Sequence, residues 1–131
     1  MQEPADLGFG EMAFFDGAQG LWPAYLALRG HILGMFPGCE VRVHGTQLSF
    51  RAPRPFAWVW RLPGARGRAS FFLTFATDHG GPLAHETQAV YIRPGHWTRH
   101  LAVTADGPQA MELTDYIAAS HRLRNRKGGA S

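Results

Sequence analysis

Arginine, histidine and tryptophan side chains recur through the middle of the sequence, at spacings that suggest a binding surface. Trp58 and Trp60 are two residues apart, so they point to the same face if residues 56–62 form a strand. The preceding segment, 40–55, supplies further polar side chains at alternate positions. Guanidinium groups pair with anions and stack on aromatic rings. We therefore expect one anion-accepting, aromatic-walled groove, lined by Arg42, Gln47, Arg51, Arg54, Trp58 and His100.

A planar anionic molecule, such as a nucleotide or a phosphorylated metabolite, suits these side chains. Three other functions stay open. Interleaved basic and aromatic side chains on a sheet also bind nucleic acid, although the glycine-and-aromatic signature of the RRM sheet is absent. An enzyme acting on a small metabolite would use His44 or His100 as its general base. An exposed aromatic sheet face can also pair with a second copy of the chain, which would give a homodimer.

Metal binding and the common catalytic chemistries find little support in the sequence. His96 and His100 are four residues apart on or next to a predicted strand, where four residues span about 13 Å, whereas zinc needs each nitrogen at about 2 Å. His79, His85 and Glu86 lie in a glycine-containing loop and form an incomplete ligand set. The nucleophile-elbow, Walker, dinucleotide and H-E-x-x-H patterns are absent. We expect a binding module without metal or cofactor rather than an enzyme, and the enzyme named above stays open as an alternative.

The apolar residues that must position these side chains change their period along the chain. From Leu21 to Met35 they recur every three or four positions, which predicts a helix that ends before Pro37. A second helix is predicted after Pro108. About six strands joined by short loops lie between the helices, and such strands pair antiparallel. This order predicts an α+β fold: a single antiparallel sheet of five to six strands, with the N- and C-terminal helices packed on one face.

Alternation within the predicted strands indicates which side chains reach the face that the helices leave uncovered. In residues 41–44 the valines point one way, and Arg42 and His44 point the other. Residues 70–77 are apolar on both faces, as expected of a central strand. In the predicted strand 89–93, Tyr91 and Arg93 share a phase, and we expect both on the uncovered face.

Length and composition indicate one domain. The 131 residues are 45% hydrophobic, enough for a core without disulfides. Early Pro and Gly residues predict a flexible lead-in over 1–12, the folded domain spans 13–124, and 125–131 form a flexible basic tail. The net charge of +3 permits an anionic partner without requiring one. With a single cysteine and neither a signal peptide nor a membrane-length apolar run, we expect a cytoplasmic protein without a membrane partner.

Four motifs resemble those of a small bacterial domain family of unknown function: an F-F-x-G opening, a T-Q-I-S-F hairpin, an R-P-F-A strand and a W-T-H-H strand. The resemblance spans residues 14–124 and departs from the family at Gly45, where a lysine is usual, and at Arg99, where the first histidine of W-T-H-H would stand. The family is distantly similar to frataxin-like domains, which implies a helix–sheet–helix order but no iron site here, because the acids are scattered. The matching residues are Thr46, Gln47, Ser49, Phe50, Arg54, Pro55, Phe56, Trp97, Thr98 and His100.

Overall fold

The computed structural model describes residues 9–126, and no helix in that range is long and apolar enough to cross a membrane. The helices are α1 (Phe9–Phe14), α2 (Trp22–Met35), α3 (Arg66–Ala69) and α4 (Thr114–Asn125), with 3-10 turns at Gln19–Leu21 and Ala110–Leu113. The strands are β1 (Glu40–His44), β2 (Gln47–Arg51), β3 (Pro55–Trp60), β4 (Ser70–Thr77), β5 (Gln88–Arg93) and β6 (His96–Thr104).

The strands form one antiparallel sheet in the order β1-β2-β3-β4-β6-β5. Strands that follow one another after a short turn are neighbours, as the loop lengths require. The β1–β2 turn contains Gly45 at φ 54°, the left-handed conformation that a tight hairpin turn demands and glycine adopts without strain. The predicted α+β fold with a single antiparallel sheet is confirmed, and the sheet has six strands.

One face of the sheet is the hydrophobic core. Leu48, Val59, Leu73 and Leu101 lie opposite one another on β2, β3, β4 and β6, and all four are fully or almost fully buried. They belong to one cluster with α2 and α4 side chains, including Tyr25, Leu28, Ile32 and Ile117. Each buried aliphatic or aromatic side chain contributes about 1.5–3 kcal/mol. Both long helices therefore cover this face.

The opposite face, which we call the open face, carries a row of mostly polar residues across all six strands. Cross-strand pairing places the row in the order Arg42, Ser49, Trp58, Thr74, His100 and Gln88. The neighbouring row contains Gln47, Trp60 and Phe72. Val59 points into the core, so both tryptophans of the FAWVW segment lie on the open face.

Strand β5 departs from simple alternation and corrects one expectation. Tyr91 pairs with Trp97 and therefore lies on the helix-covered side of β5, at the edge of the sheet. The register shifts between Tyr91 and Arg93, so that Arg93 pairs with His96 and joins the open face. A bulge of this kind adds one residue to a strand and re-aims the next side chain. Tyr91 and Arg93 consequently point to opposite faces, although the sequence predicted the same face for both.

The N-terminal boundary also differs from the expected lead-in of residues 1–12. Helix α1 begins at Phe9, and the side chain of Glu11 is buried. Its carboxylate accepts hydrogen bonds from the Tyr25 hydroxyl and from Arg29 Nε, the latter at 2.7 Å. Burial and the Glu11 carboxylate raise the pKa of the Tyr25 hydroxyl, which keeps it protonated as a donor. Residues 9–12 therefore belong to the folded domain, and 1–8 lie outside the described residues.

The C-terminal boundary differs in the same sense. The predicted tail of residues 125–131 begins inside α4, since Asn125 is helical. Asn125 Oδ1 accepts a hydrogen bond from the backbone N–H of Arg54 at 2.9 Å, which fastens the end of α4 to the β2–β3 turn. Residues 127–131 lie outside the described residues.

Candidate functional site

The open face is concave over a volume of about 530 Å³, within the range of small-molecule sites. We call this concavity the groove. All strands except β1 contribute to it, together with the last turns of α4 and the loop residues next to β2 and β3. Its lining residues are Thr46, Gln47, Trp58, Trp60, Arg61, Thr74, Ile92, Arg93, His96, Thr98, His100 and Arg124.

The β5 bulge and helix α4 together build one end of the groove, which we call the cationic end: Arg93, His96 and Arg124. The bulge turns Arg93 toward His96. Arg124 reaches the open face from the last turn of α4, with its guanidinium carbon 5.3 Å from the centre of the Trp58 ring. A hydrogen bond of 3.0 Å from Arg124 Nε to the Pro55 carbonyl oxygen holds this position.

The cationic end carries positive charges without neighbouring carboxylates among the described residues that line the groove. Burial lowers the pKa of His96, and the positive charges of Arg93, Arg124 and Arg126 lower it further. Burial likewise lowers the pKa of Arg124, with additional contributions from Arg54 and Arg93. None of the described residues that line the groove is Asp or Glu. Several cations are therefore close enough to repel one another without a carboxylate among them.

The opposite end of the groove, the neutral end, consists of Gln47, Trp60, Thr74 and His100. Trp60 Nε1 donates to Thr74 Oγ1 at 2.7 Å, and the same oxygen lies 2.8 Å from His100 Nδ1. Thr74 is only 7% exposed, so these two side chains supply its hydroxyl with partners in place of water. Burial lowers the pKa of His100, which favours the neutral imidazole at pH 7.

Aromatic rings flank the groove. Trp58 lies beside the cationic end, and Trp60 stacks on Phe72 with ring centres 4.6 Å apart and planes 21° apart. The His100 ring meets Trp60 edge-on at 87°. A flat ligand can stack on such rings while its charged group bonds the arginines.

Three of the six residues predicted to line one groove do line it: Gln47, Trp58 and His100. The other three lie outside the lining of the groove. Arg42 is on the edge strand β1 and pairs with Glu40 at 3.1 Å. Arg51, at the end of β2, borders a separate depression that includes Pro37 and His121. Arg54 is in the β2–β3 turn and lies outside the lining, although its charge acts on Arg124.

The cationic end itself was not predicted. Arg124 belongs to a basic run at the C-terminus, and only the contact between α4 and the start of β3 brings it over Trp58. His96 precedes the predicted strand, whereas β6 begins at that residue. His96 and His100 are an even number of residues apart, and such residues share a face when they lie on one strand. This spacing was the one sequence signal that could have placed both on the open face.

Arg61 also lines the groove but has a structural role. Its Nε and Nη2 donate to the Phe14 carbonyl oxygen at 3.0 and 2.6 Å, and its Nη1 donates to the Gly67 carbonyl oxygen at 2.6 Å. These bonds tie the loop after β3 to α1 and α3. Arg61 therefore adds positive charge to the groove, but most of its N–H donors are already bound to backbone oxygens.

A second polar cluster lies at the side of the sheet where β5 begins. His85 Nε2 is 3.2 Å from Glu112 Oε1, and His85 Nδ1 is 3.3 Å from the Tyr116 hydroxyl. The backbone N–H of His85 also donates to that hydroxyl at 3.1 Å. The cluster fastens the loop before β5 to the start of α4. Within residues 9–126, no three His, Cys, Asp or Glu side chains are grouped as a metal ion would require.

The fold and the groove define a small α+β domain with one helix-covered sheet face and one open, cationic and aromatic face. A family model matches residues 11–124, and the chain belongs to that family, DUF5655, a domain of unknown function. The expected membership of an uncharacterised domain family is thus confirmed, whereas bacterial origin, the four motifs and the similarity to frataxin-like domains stay predictions. No curated protein and no solved structure is significantly similar to the chain.

Proposed function

We propose that this domain is a binding module that accepts a planar anionic small molecule in the groove. The observation that carries this proposal is the state of two arginines at the cationic end. Within residues 9–126, Arg93 makes no side-chain hydrogen bond or ion pair, and Arg124 makes a single hydrogen bond, through Nε. Guanidinium groups carry five N–H donors in a planar fork that matches phosphate and carboxylate geometry.

The missing counter-charge strengthens this proposal. Arg93 and Arg124 are neighbours of His96, and their charges disfavour its protonation. An anion bound among the three side chains would offset the repulsion between their positive charges. It would also accept hydrogen bonds from the unused N–H groups of the two arginines. Its binding would therefore form charge-assisted hydrogen bonds and neutralise part of the positive potential at the cationic end.

The rings next to the arginines support a flat ligand over a simple ion. Trp58 is half-buried beneath the Arg124 guanidinium, and Trp60 lies one row further along the same strand. The two tryptophans are about 7 Å apart along β3. A planar group anchored by its charge at Arg93 and Arg124 would lie against this aromatic wall.

The single free cysteine, Cys39, suits a reducing compartment, and a cytoplasmic location belongs to the same proposal. A homodimer formed through the open face is the alternative that would bury the groove. Light scattering at several protein concentrations distinguishes the two cases, because a monomer leaves the groove accessible.

Calorimetric titration with phenyl phosphate tests the proposal, since this probe carries one ring and one anionic group. We expect binding to the unmodified chain and at least a tenfold weaker affinity for Arg93→Gln, which loses a charge-assisted contact. Arg42→Gln is the matched control, because it removes an arginine of the same face outside the groove. Equal weakening in both variants, or no binding to the unmodified chain, would contradict the proposal.

A further inference from the structure

We propose that the ligand of the groove is a nucleoside monophosphate, with its phosphoryl group at the cationic end and its base at the neutral end, where His100 Nε2–H donates to a base acceptor. This inference rests on the proposed function and deepens it. The hydrogen bonds of Thr74, the distribution of charge along the groove and the position of the aromatic rings carry it.

The hydrogen bonds of Thr74 determine the tautomer of His100. Trp60 Nε1 is a donor only, so Thr74 Oγ1 accepts in the 2.7 Å bond. The Thr74 hydroxyl hydrogen then needs an acceptor, and His100 Nδ1 at 2.8 Å is the remaining partner among the described residues. Nδ1 therefore carries the lone pair, and in the neutral ring the proton lies on Nε2.

The His100 ring lines the groove, and in this inference its Nε2–H is the donor offered to the ligand. His100 makes its one described hydrogen bond through Nδ1, which leaves Nε2 without an acceptor in residues 9–126. A neutral N–H suits a neutral acceptor, such as the carbonyl oxygen or the ring nitrogen of a nucleobase. The half-buried Trp58 and Trp60 rings line the same groove, and a base bound there would lie against their exposed parts.

The distribution of charge favours a mononucleotide over a nucleic acid strand. Arg93, Arg124 and His96 lie together at one end, and His100 is four residues from His96 on the same face of β6, about 13 Å away. A strand would present a phosphate at every nucleotide and would need cations repeated along the groove. Arginines with unused donors cluster at one end, and a neutral donor lies at the other, where the donors of Arg61 are already bound by the Phe14 and Gly67 carbonyl oxygens. This arrangement matches one phosphoryl group and one base.

Calorimetric titrations with four kinds of probe test the inference: the nucleoside 5′-monophosphates, the corresponding nucleosides, inorganic phosphate and a single-stranded tetranucleotide. We expect at least one monophosphate to bind tenfold or more tightly than inorganic phosphate, its own nucleoside and the tetranucleotide. If inorganic phosphate binds as tightly as every monophosphate, the inference fails and anion binding stands. If no anion binds, both proposals fail. Tightest binding of the tetranucleotide, with a steep salt dependence, would assign the groove to nucleic acid instead.

Variants of His100 separate base recognition from anion binding. His100→Phe keeps a ring and removes the donor, and we expect it to weaken the preferred monophosphate about tenfold while inorganic phosphate is unaffected. His100→Gln restores an N–H donor and should recover part of the loss. An unchanged monophosphate affinity in His100→Phe would overturn the inference.

The tautomer can be measured without any ligand. Two-bond ¹H–¹⁵N correlation spectra of the unmodified chain distinguish a protonated Nε2 from a protonated Nδ1 at His100. We expect the Nε2–H form in the unmodified chain. Thr74→Ser keeps a hydroxyl and should keep this form, and a mixture of forms in that variant would show that its hydroxyl has moved. A protonated Nδ1 in the unmodified chain would remove the donor from the groove and overturn the inference.

Discussion

Arg99 and the two arginines of the cationic end lie on opposite faces of the same sheet and use their donors in opposite ways. On the helix-covered face Arg99 is 2% exposed. At the cationic end Arg93 and Arg124 together make one hydrogen bond within residues 9–126. Arginine N–H groups that donate hydrogen bonds to protein oxygens stabilise the fold, whereas N–H groups without a protein acceptor are available to a ligand. The acceptors of Arg99 are Thr77 Oγ1 at 2.9 Å, Thr87 Oγ1 at 3.1 Å and the carbonyl oxygens of His79 at 2.6 Å and Gly81 at 2.7 Å.

The neutral acceptors of Arg99 show that its task is to hold the loop between β4 and β5. Burial lowers the pKa of Arg99, but a guanidinium stays charged at physiological pH because its ordinary pKa is far above that range. The loop also approaches the sheet closely: a Cβ atom added at Gly80 would come within 2.7 Å of the Trp97 ring. A side chain at that position would force the loop away from Trp97.

The largest predicted effect is the loss of Arg99. Arg99→Met keeps much of the side-chain volume but leaves the carbonyl oxygens of His79 and Gly81 without their donor. We expect the free energy of unfolding to fall by about 2–3 kcal/mol, measured by urea denaturation.

Arg93→Met is the matched control, since it removes an arginine whose donors have no acceptor in the described chain. We expect no loss of stability from this change. Equal destabilisation by the two substitutions would remove the distinction between Arg99 and the arginines of the cationic end.

Most of the fold follows from local patterns that a sequence contains. A period of two in residues 41–51 and 56–60 predicts the hairpin and the following strand, and it also places Trp58 and Trp60 together. Alternation fails where a strand is irregular. The register shift near Ile92 separates Tyr91 from Arg93, and only the pairing with β6 reveals it.

The candidate site could be predicted in part, for a related reason. Gln47, Trp58 and His100 lie on regular strands, so their phase alone brought them to the groove. Arg124 enters from a helix more than sixty residues after Trp58, through a contact that no local pattern encodes. Arg42 had the right phase, but β1 is an edge strand and its charge is balanced by Glu40.

A second, smaller effect extends the comparison to the histidines of the groove. The pKa values of His96 and His100 are lowered in the folded chain, so below about pH 6.5 the unfolded chain binds more protons at these positions. Stability should therefore be greatest above pH 6.5 and fall as the pH drops toward the folded-state values. His96 is 8% exposed and His100 is half-buried, and we expect a total loss on the order of 1 kcal/mol.

Urea denaturation between pH 7.5 and 5.5 measures this loss in a range where carboxylates, with ordinary pKa values near 4, stay ionised. The double variant His96→Asn, His100→Gln should give a flatter profile. An identical profile in the double variant would assign the pH dependence to other groups. Sulfate, whose charge is constant in this range, should bind the unmodified chain more tightly as the pH falls, because protonated His96 would add a positive charge at the cationic end.

The smallest predicted effect concerns the stability that the cationic end costs the folded chain. Arg93 and Arg124 repel each other without a carboxylate among the described groove residues. Arg93→Gln should therefore raise the free energy of unfolding slightly, by about 0.5 kcal/mol at low salt, and less at 1 M salt, where the Debye length is about 3 Å. Urea denaturation at both salt concentrations measures the difference.

Opposite effects on stability and on ligand affinity are what separate a functional cation from a structural one. Arg93→Gln is expected to gain stability and lose phenyl phosphate binding, whereas Arg99→Met should lose stability through the loop it holds. Arg42→Gln, which breaks an exposed pair with Glu40, should change neither by much. If Arg93→Gln instead destabilises the chain equally at low and high salt, the Arg93 side chain stabilises the fold through packing. The cationic end would then have a structural role.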